Sequence, residues 1–534
     1  MKKATSILAL LLALVMVFGL VACGGGGDAG TTNKPADQQQ TDKPGNQKDE
    51  QPVAEGPKTL KIGLSGEPTS LCELIATGAQ NSPTSHMLYD TLVWRNSQDG
   101  KVYPALAESW EVVDNRTAIF YLNKDAKAVD GSPITAEDVL FSLKSTSECS
   151  TTLVSAYVNY DLDACEIIDE HTIKIVASHD YSQIVNLLGN RNFLIYSKSL
   201  VEAAGGFEAI AQTGAAATGA YKLVEWVSGD HITLARNEYY HGEPGYYDTV
   251  EFYFISDNAT RAMALQSGQV DFIYGLTPAL ISDVENTDGL KAIQTLSSSV
   301  LTMFFNARDN KALQDVRVRQ AIAYAINKDA IVAVAYGGVA RAADSIVPAN
   351  SAYYTEMAPY YNPDKAKELL ADAGYGNGLT LHLLALQSES KLCEMMNNQL
   401  AQIGITLEMT IVDVPNVVKA SQAGEYDLFL FSRFGSDPCY SVYTLDGRRP
   451  SPKEENFTML DDPSIYGLLD TVYGSTDVAE GKAAMHELDL WNAENFYSVP
   501  MIDTISVFGA KEEIDGVYLD YNGMHAFYGK LAAN

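Results

Sequence analysis

Basic residues are scarce in this chain. Its 37 Lys and Arg stand against 68 Asp and Glu in 534 residues, a formal net charge of −31. So acidic a surface repels phosphate backbones and anionic headgroups, which argues against nucleic acid and anionic lipid as partners, although a local cleft can oppose the global field. Cysteine is sparse too: Cys23, Cys72, Cys149, Cys165, Cys393 and Cys439, with no C-x-x-C pair and no Cys/His spacing that suits zinc. The eight His are scattered, with no H-E-x-x-H. Gly205-Gly206 and Gly337-Gly338 are not phosphate loops, since neither sits in a G-x-x-x-x-G-K-[ST] or G-x-G-x-x-G pattern, and no G-x-S-x-G elbow occurs. These absences lower the odds of a metalloenzyme, a nucleotide-binding enzyme or a serine hydrolase, and neither a catalytic residue nor a cofactor or metal is expected. Acids are abundant enough that a carboxylate pair stays open.

What is present begins at the N-terminus. Lys2 and Lys3 precede an apolar run from Ile7 to Val21, and Leu20-Val21-Ala22-Cys23 follows as a lipobox. A positive start, an apolar middle and small residues at the cut define a secretion signal. The Cys after the cut supplies a thiol for diacylglycerol. Residues 1–22 are therefore expected to be a lipoprotein signal and Cys23 the lipidated first residue, with the folded part outside the cell and held to the cell membrane by lipid. The alternative is a transmembrane anchor, since about 18 apolar residues span a bilayer, but Gly19 and the Cys at the cut argue against it. Losing the two lysines of the signal takes the net charge from −31 to −33. No later stretch is apolar for long enough to cross a membrane.

Residues 24–57 are Gly, Asp, Thr, Gln, Pro, Lys and Asn with almost no aliphatic side chains, so they cannot offset the entropy of ordering. With Cys23 they form a tether reaching about 30 Å, from about 5–6 Å times the square root of its length. From residue 58 onward the composition is globular and large enough for two lobes. Cys149 and Cys165 flank a segment that a disulfide could close in an oxidising compartment, with free thiols the alternative.

Strand-like and helix-like segments alternate throughout, the pattern of an α/β protein. Lys58 to Leu64 alternates apolar and polar residues and reads as a first strand, ended by Gly66 and Pro68. Thr117 to Leu122 reads as another. Thr135 then caps a helix whose first turn carries Glu137 and Asp138, and Val139, Phe141 and Leu143 ride on it. Asn362-Pro363-Asp364 is a helix start, with Leu369 and Leu370 facing inward until Gly374. Leu392, Met396, Leu400 and Ile403 repeat at helical spacing, as a core stripe, before Gly404 releases the chain into a strand from Ile405 to Ile411.

Motifs in order along the chain then carry a resemblance. They are Tyr89-Asp90-Thr91-Leu92, Pro104 to Trp110, Asp130 to Val139, Thr218 to Leu223, Arg236-Asn237 before Tyr239-Tyr240, Ser267 to Asp271, Phe305-Asn306 and Asp315 to Ile322 with Tyr324 to Lys328. Tyr361 to Tyr375, Gln402 to Ile405 and Tyr426-Asp427-Leu428 complete the series. Singly, most read as core packing or helix starts. Together they resemble the family 5 extracellular solute-binding proteins, the peptide, dipeptide and nickel-binding components of ABC importers.

That resemblance implies a two-lobed α/β fold of the periplasmic-binding-protein type (class II, cluster C), with ligand between the lobes and a hinge the chain crosses twice. Lobe I would hold 58–303 with 505–534 returning to it, and lobe II 304–504, the crossings lying near Phe304 to Asn306 and Val499 to Thr504. It implies a monomer that captures a short peptide and passes it to the permease and ATPase subunits. By the same likeness Asp437, in Phe434-Gly435-Ser436-Asp437-Pro438, takes the peptide amine, although this loop departs from the Trp-containing form of peptide-binding relatives and a turn Asp before Pro438 is the plainer alternative. Arg191 or Arg433 takes the carboxylate, guanidinium being suited to bidentate pairing; each has the plainer alternative of a solvated surface side chain. Arg191 resembles an Arg of the nickel-chelate binders. The loop Gly66 to Ser85, with Glu67, Cys72 and Asn81, is expected along the cleft, where Leu71 and Cys72 make a less polar wall. Alternatives to peptide import are a metal chelate or other small organic ligand, a peptide-sensing receptor component, and a surface hydrolase.

Overall fold

Alternation between apolar and polar residues fixes the first strand at Thr59–Leu64, where Leu60, Ile62 and Leu64 are buried. The structure is a computed structural model, and it describes residues 58–76, 80–95, 101–148, 160–180, 182–434, 441–449, 456–514, 518–519 and 526–527. The strand Thr59–Leu64 pairs in parallel with Thr249–Phe254 and with Phe272–Tyr274, and the hairpin Tyr221–Val227 and His231–Arg236 extends that edge. Helix starts are set by local chemistry. Ahead of the helix Ala136–Glu148, the Asp138 carboxylate accepts from the Thr135 backbone N–H at 2.8 Å, while Thr135 Oγ1 accepts from the Glu137 N–H at 3.3 Å. At Pro363–Asp372 the Asn362 side chain accepts from the Lys365 N–H at 3.0 Å, and Gly374 ends the turn at φ +90°, a conformation that favours glycine.

The principal sheet has eleven strands among the described residues. Two of them are long: Leu290–Phe305, 16 residues, and Ser498–Lys511, 14 residues, antiparallel to each other. The first runs on to pair with Leu428–Phe434, beside which lie the parallel strands Leu379–Leu386 and Ile405–Val412. The second pairs at its far end with Phe272–Tyr274, and so joins the group around Thr59–Leu64. Each half of the sheet has its own apolar core, one around Leu60, Phe252 and Phe272, the other around Met303, Leu383 and Met396. The result is a two-lobed α/β body. A separate four-stranded antiparallel sheet, Ala107–Val112, Thr117–Leu122, Thr172–Val176 and Glu166–Asp169, stands beside it. Its core residues Phe120, Ile173 and Ile175 share one apolar cluster with Ile184, Tyr353, Val442, Leu469 and Tyr473. No helix among the described residues is long and apolar enough to cross a membrane.

Candidate functional site

The ladder between the two long strands slips twice, between Leu296 and Val300 and again between Leu301 and Thr302, and the first break is the wider. Leu296 is opposite Ile505 and Val300 opposite Asp503, so Ser297, Ser298 and Ser299 together face Thr504. A bulge of this kind re-aims side chains and bends the strand. All three serines are buried. Ser297 Oγ donates to the Thr504 carbonyl at 3.1 Å. The Asn350 amide lies on the bulge, its Nδ2 donating to the Leu296 carbonyl at 3.3 Å and to Ser298 Oγ at 3.4 Å. Among the described residues Ser299 Oγ, Asn350 Oδ1 and, opposite Val300, Asp503 Oδ1 are buried and have no hydrogen-bond partner. Buried polar groups are nearly always paired, so orphans gathered at one bulge set it apart from the rest of the ladder.

A charged layer braces the same strand. Asp503, 1 % exposed, pairs with Arg341, which also holds Asp344 at 2.7 Å. Burial pushes the Asp503 carboxyl up to about 6 against the pull of Arg341. Lys328 Nζ donates to the Pro500 carbonyl at 3.1 Å and lies 4.6 Å from the centre of the Tyr360 ring, and burial lowers its pKa to about 8. Asp489 accepts from Ser345 Oγ at 2.7 Å and from the Ile346 N–H at 3.0 Å, and burial raises its pKa to about 7.

Leu71, expected along the cleft wall, is wholly buried in the core, and three polar or thiol-bearing residues expected there also have described side chains. The Glu67 carboxylate accepts from Trp226 Nε1 at 2.8 Å and from the Gly229 N–H at 3.0 Å, tying the loop after the first strand to the neighbouring hairpin. Asn81, 2 % exposed, accepts from the Thr69 N–H at 2.9 Å and donates to the Ala76 carbonyl at 2.8 Å, closing that loop on itself. Cys72 is wholly buried in the core with Tyr89 and Tyr196, and burial pushes its thiol up to about 11, so it is neutral and unreactive. Each of the three holds the loop in shape through its bonds or packing.

Arg191 opens a short 3₁₀ turn, Arg191–Phe193, capped by Asn190. Arg433 pairs by backbone with Val300, and Phe434 with Ser299, so the strand end that carries Arg433 lies beside the serine bulge. The side chains of Arg191 and Arg433, and the whole of Asp437, lie outside the described residues, as do Cys23 and Cys149. Cys165 is a free thiol whose Sγ accepts from the Val176 N–H at 3.4 Å. Among the described residues no group of three His, Cys, Asp or Glu is placed to hold a metal.

Sequence reasoning missed a second contact between distant parts of the chain. The Ser182 N–H donates to the Tyr473 carbonyl at 2.7 Å, Gln183 Nε2 donates to the Tyr353 hydroxyl at 2.9 Å, and the His179 ring meets Tyr473 edge-on at 6.3 Å between centres. Cavities flank this seam on both sides. One, of about 590 Å³, is lined by His179, Asp180, Tyr443, Arg448 and Tyr473 among others. The other, of about 450 Å³, is lined by Arg95, Trp110, Asn186 and Tyr353 among others. A further cavity of about 570 Å³, around Asp90, Tyr240 and His241, is walled only by residues 86–246 and so lies apart from both the seam and the bulge. No local pattern announces Gln183 or Tyr353, but the run Ser297-Ser298-Ser299 inside an apolar strand was a visible interruption.

The geometry is therefore that of a two-lobed α/β body whose halves share two long antiparallel strands, with cavities beside the seam at Gln183 and Tyr353. Residues 101–452 match the family described as bacterial extracellular solute-binding proteins, family 5 (middle). The glutathione-binding protein GsiB of Pectobacterium atrosepticum is 30% identical over 366 residues, 67% of this chain and 70% of that protein. In fold the chain is similar to the periplasmic binding protein DppA of Helicobacter pylori, solved with the peptide STSA, with a TM-score of 0.73 and 23% identity over 86% of this chain and 95% of that one. It is likewise similar to NikA of Staphylococcus aureus, solved with Ni(L-His)2, with a TM-score of 0.70 and 20% identity over 89% of this chain and all of that one. With a family match over most of its globular part and the two-lobed architecture that goes with it, this chain belongs to the family 5 extracellular solute-binding proteins, the substrate-binding components of ABC importers.

Proposed function

We infer that this protein captures short peptides outside the cell and delivers them to the permease of an ABC importer, with the ATPase subunits driving uptake. The observation that carries the reading is the 30% identity, over about two thirds of both chains, to a binding protein for glutathione, a tripeptide. In this reading Cys23 bears the lipid, residues 24–57 form the tether, and the folded part works as a monomer beside the membrane. Lobe I takes 58–303 with 505–534, and lobe II takes 304–504. Asp437 pairs the peptide amine, and Arg191 or Arg433 pairs the carboxylate, because the ends are the charges every peptide shares and a desolvated ion pair is worth more than an exposed one. Closure follows from a ligand bonding to both lobes at once.

One observation favours a second reading, capture of a metal chelate: the fold likeness to NikA solved with Ni(L-His)2, together with Arg191. Native mass spectrometry of residues 24–534, purified without unfolding, separates the two. A spread of co-purified masses that fragment as short peptides supports the first. A single small mass with a metal isotope pattern overturns it and puts Arg191 ahead of Asp437.

A further inference from the structure

The serine bulge carries an inference that rests on the peptide reading and deepens it. Asn350 gives both amide hydrogens to the protein, one to the Leu296 carbonyl and one to Ser298 Oγ. The Leu296 carbonyl can only accept, so it fixes which way the amide points. Asn350 Oδ1 is therefore left as an acceptor, buried and without a donor. Ser299, one residue along, is wholly buried and leaves a hydroxyl with no partner, able both to donate and to accept. Both stand at the wider of the two breaks in the ladder between the long strands, beside the strand end that carries Arg433. Neither atom is charged.

We propose that Asn350 Oδ1 and Ser299 Oγ form a neutral floor to the ligand site that reads one peptide group, Asn350 accepting its N–H and Ser299 donating to its carbonyl. This pairing does not depend on side-chain identity, so it suits many sequences. It also selects against ligands that present only acceptors. A carboxylate-rich metal chelate has no N–H for Asn350 Oδ1 and leaves that acceptor desolvated and unpaired, a penalty larger than the gain from making the bond. The floor is thus a specificity element for peptide over ligands without an N–H, whereas a chelate whose ligands carry N–H groups, such as Ni(L-His)2, is not excluded by it.

The test uses the full chain in detergent and two pools of random tri-, tetra- and pentapeptides. One pool has normal amides. In the other every internal amide is an ester, which keeps the carbonyl and removes the N–H. The wild type is expected to bind the amide pool about tenfold more tightly than the ester pool. Asn350→Leu should lose that preference and bind both at the weaker level. Ser299→Ala should weaken both pools by a similar factor and keep the preference. Because the Ser299 hydroxyl is buried without a partner in the free protein, Ser299→Ala should not lower the unliganded thermal midpoint, which covers the case of an Asn350 variant that fails to fold. If the wild type does not distinguish the pools, or Asn350→Leu retains its preference, or Ser299→Ala binds as the wild type does, the floor is overturned while peptide capture stands. If the wild type binds neither pool, peptide capture itself falls and the floor falls with it.

Discussion

Asp489 offers a sharp test of the cost of a buried carboxyl, here close to Asp344. It sits on the helix Val478–Asn495, 4 % exposed, and its two oxygens accept from Ser345 Oγ and the Ile346 N–H. Burial raises its pKa from 3.8 to about 7, the two hydrogen bonds oppose the shift, and Asp344 adds to it. A carboxyl whose folded pKa is raised binds more protons folded than unfolded, so the native state loses stability as pH rises through the window from 3.8 to about 7. A shift of about three units corresponds to on the order of 4 kcal/mol at pH 8, relative to pH below the unfolded value. Asp489→Asn keeps the shape and removes the ionisation: its oxygen still accepts from Ile346 and its amide donates to Ser345 Oγ. The variant should unfold at clearly higher urea than the wild type at pH 8, by up to about 4 kcal/mol, and the difference should shrink steadily toward pH 4. Urea titrations at pH 4.5, 6 and 8 measure it. A variant less stable than the wild type at pH 8, or a gap that does not change with pH, would refute the burial argument.

Other outcomes follow from named contacts. Tyr353→Phe removes the hydroxyl that accepts from Gln183 and should weaken closure at the seam by about 1 kcal/mol; small-angle scattering at half-saturating ligand should show a larger radius of gyration, with the unfolding midpoint little changed. Glu67→Ala leaves Trp226 Nε1 and the Gly229 N–H without their acceptor, which should lower stability by about 1–3 kcal/mol and alter Trp fluorescence; unaltered stability and emission would argue against that tie. Asp437→Ala should weaken peptide binding by about 2–5 kcal/mol if it pairs the amine in a desolvated site, and unchanged affinity by calorimetry removes the assignment. Cys23→Ser should abolish incorporation of labelled palmitate and release the protein from the membrane fraction; continued labelling would disprove the lipobox reading.

Local chemistry was legible in the sequence where a signal and its structural consequence lie within one turn or one strand. The first strand, read as Lys58 to Leu64, is Thr59–Leu64. Thr135, Asn362, Gly374 and the stripe Leu392, Met396, Leu400 stand where capping and periodicity put them. What the pattern did not carry is pairing across long separations. Nothing local in the sequence signals that Cys72 packs with Tyr89 and Tyr196, or that Glu67 bonds to Trp226, 159 residues away. The seam at Gln183 and Tyr353 joins positions 170 residues apart, and neither has a local reason to be special.

The bulge combines the two kinds of information. Three consecutive serines are a weak signal of anything, since serine is common in turns and on surfaces. Inside a 16-residue strand whose later half is entirely buried, the same three residues acquire a specific meaning. They face a single residue across the ladder, so the backbone there has slack that a regular pair lacks. Immediately beyond, the partner strand is held firmly: Asp503 by Arg341, and the Pro500 carbonyl by Lys328. The ladder slips again just past the serines, between Leu301 and Thr302 opposite Ile502 and Pro500, so the irregular stretch of the strand pair takes in the braced residues themselves. On the proposed reading, a peptide group that satisfied Ser299 Oγ and Asn350 Oδ1 would bond within that stretch, and recognition and bending of the two long strands would share the same backbone.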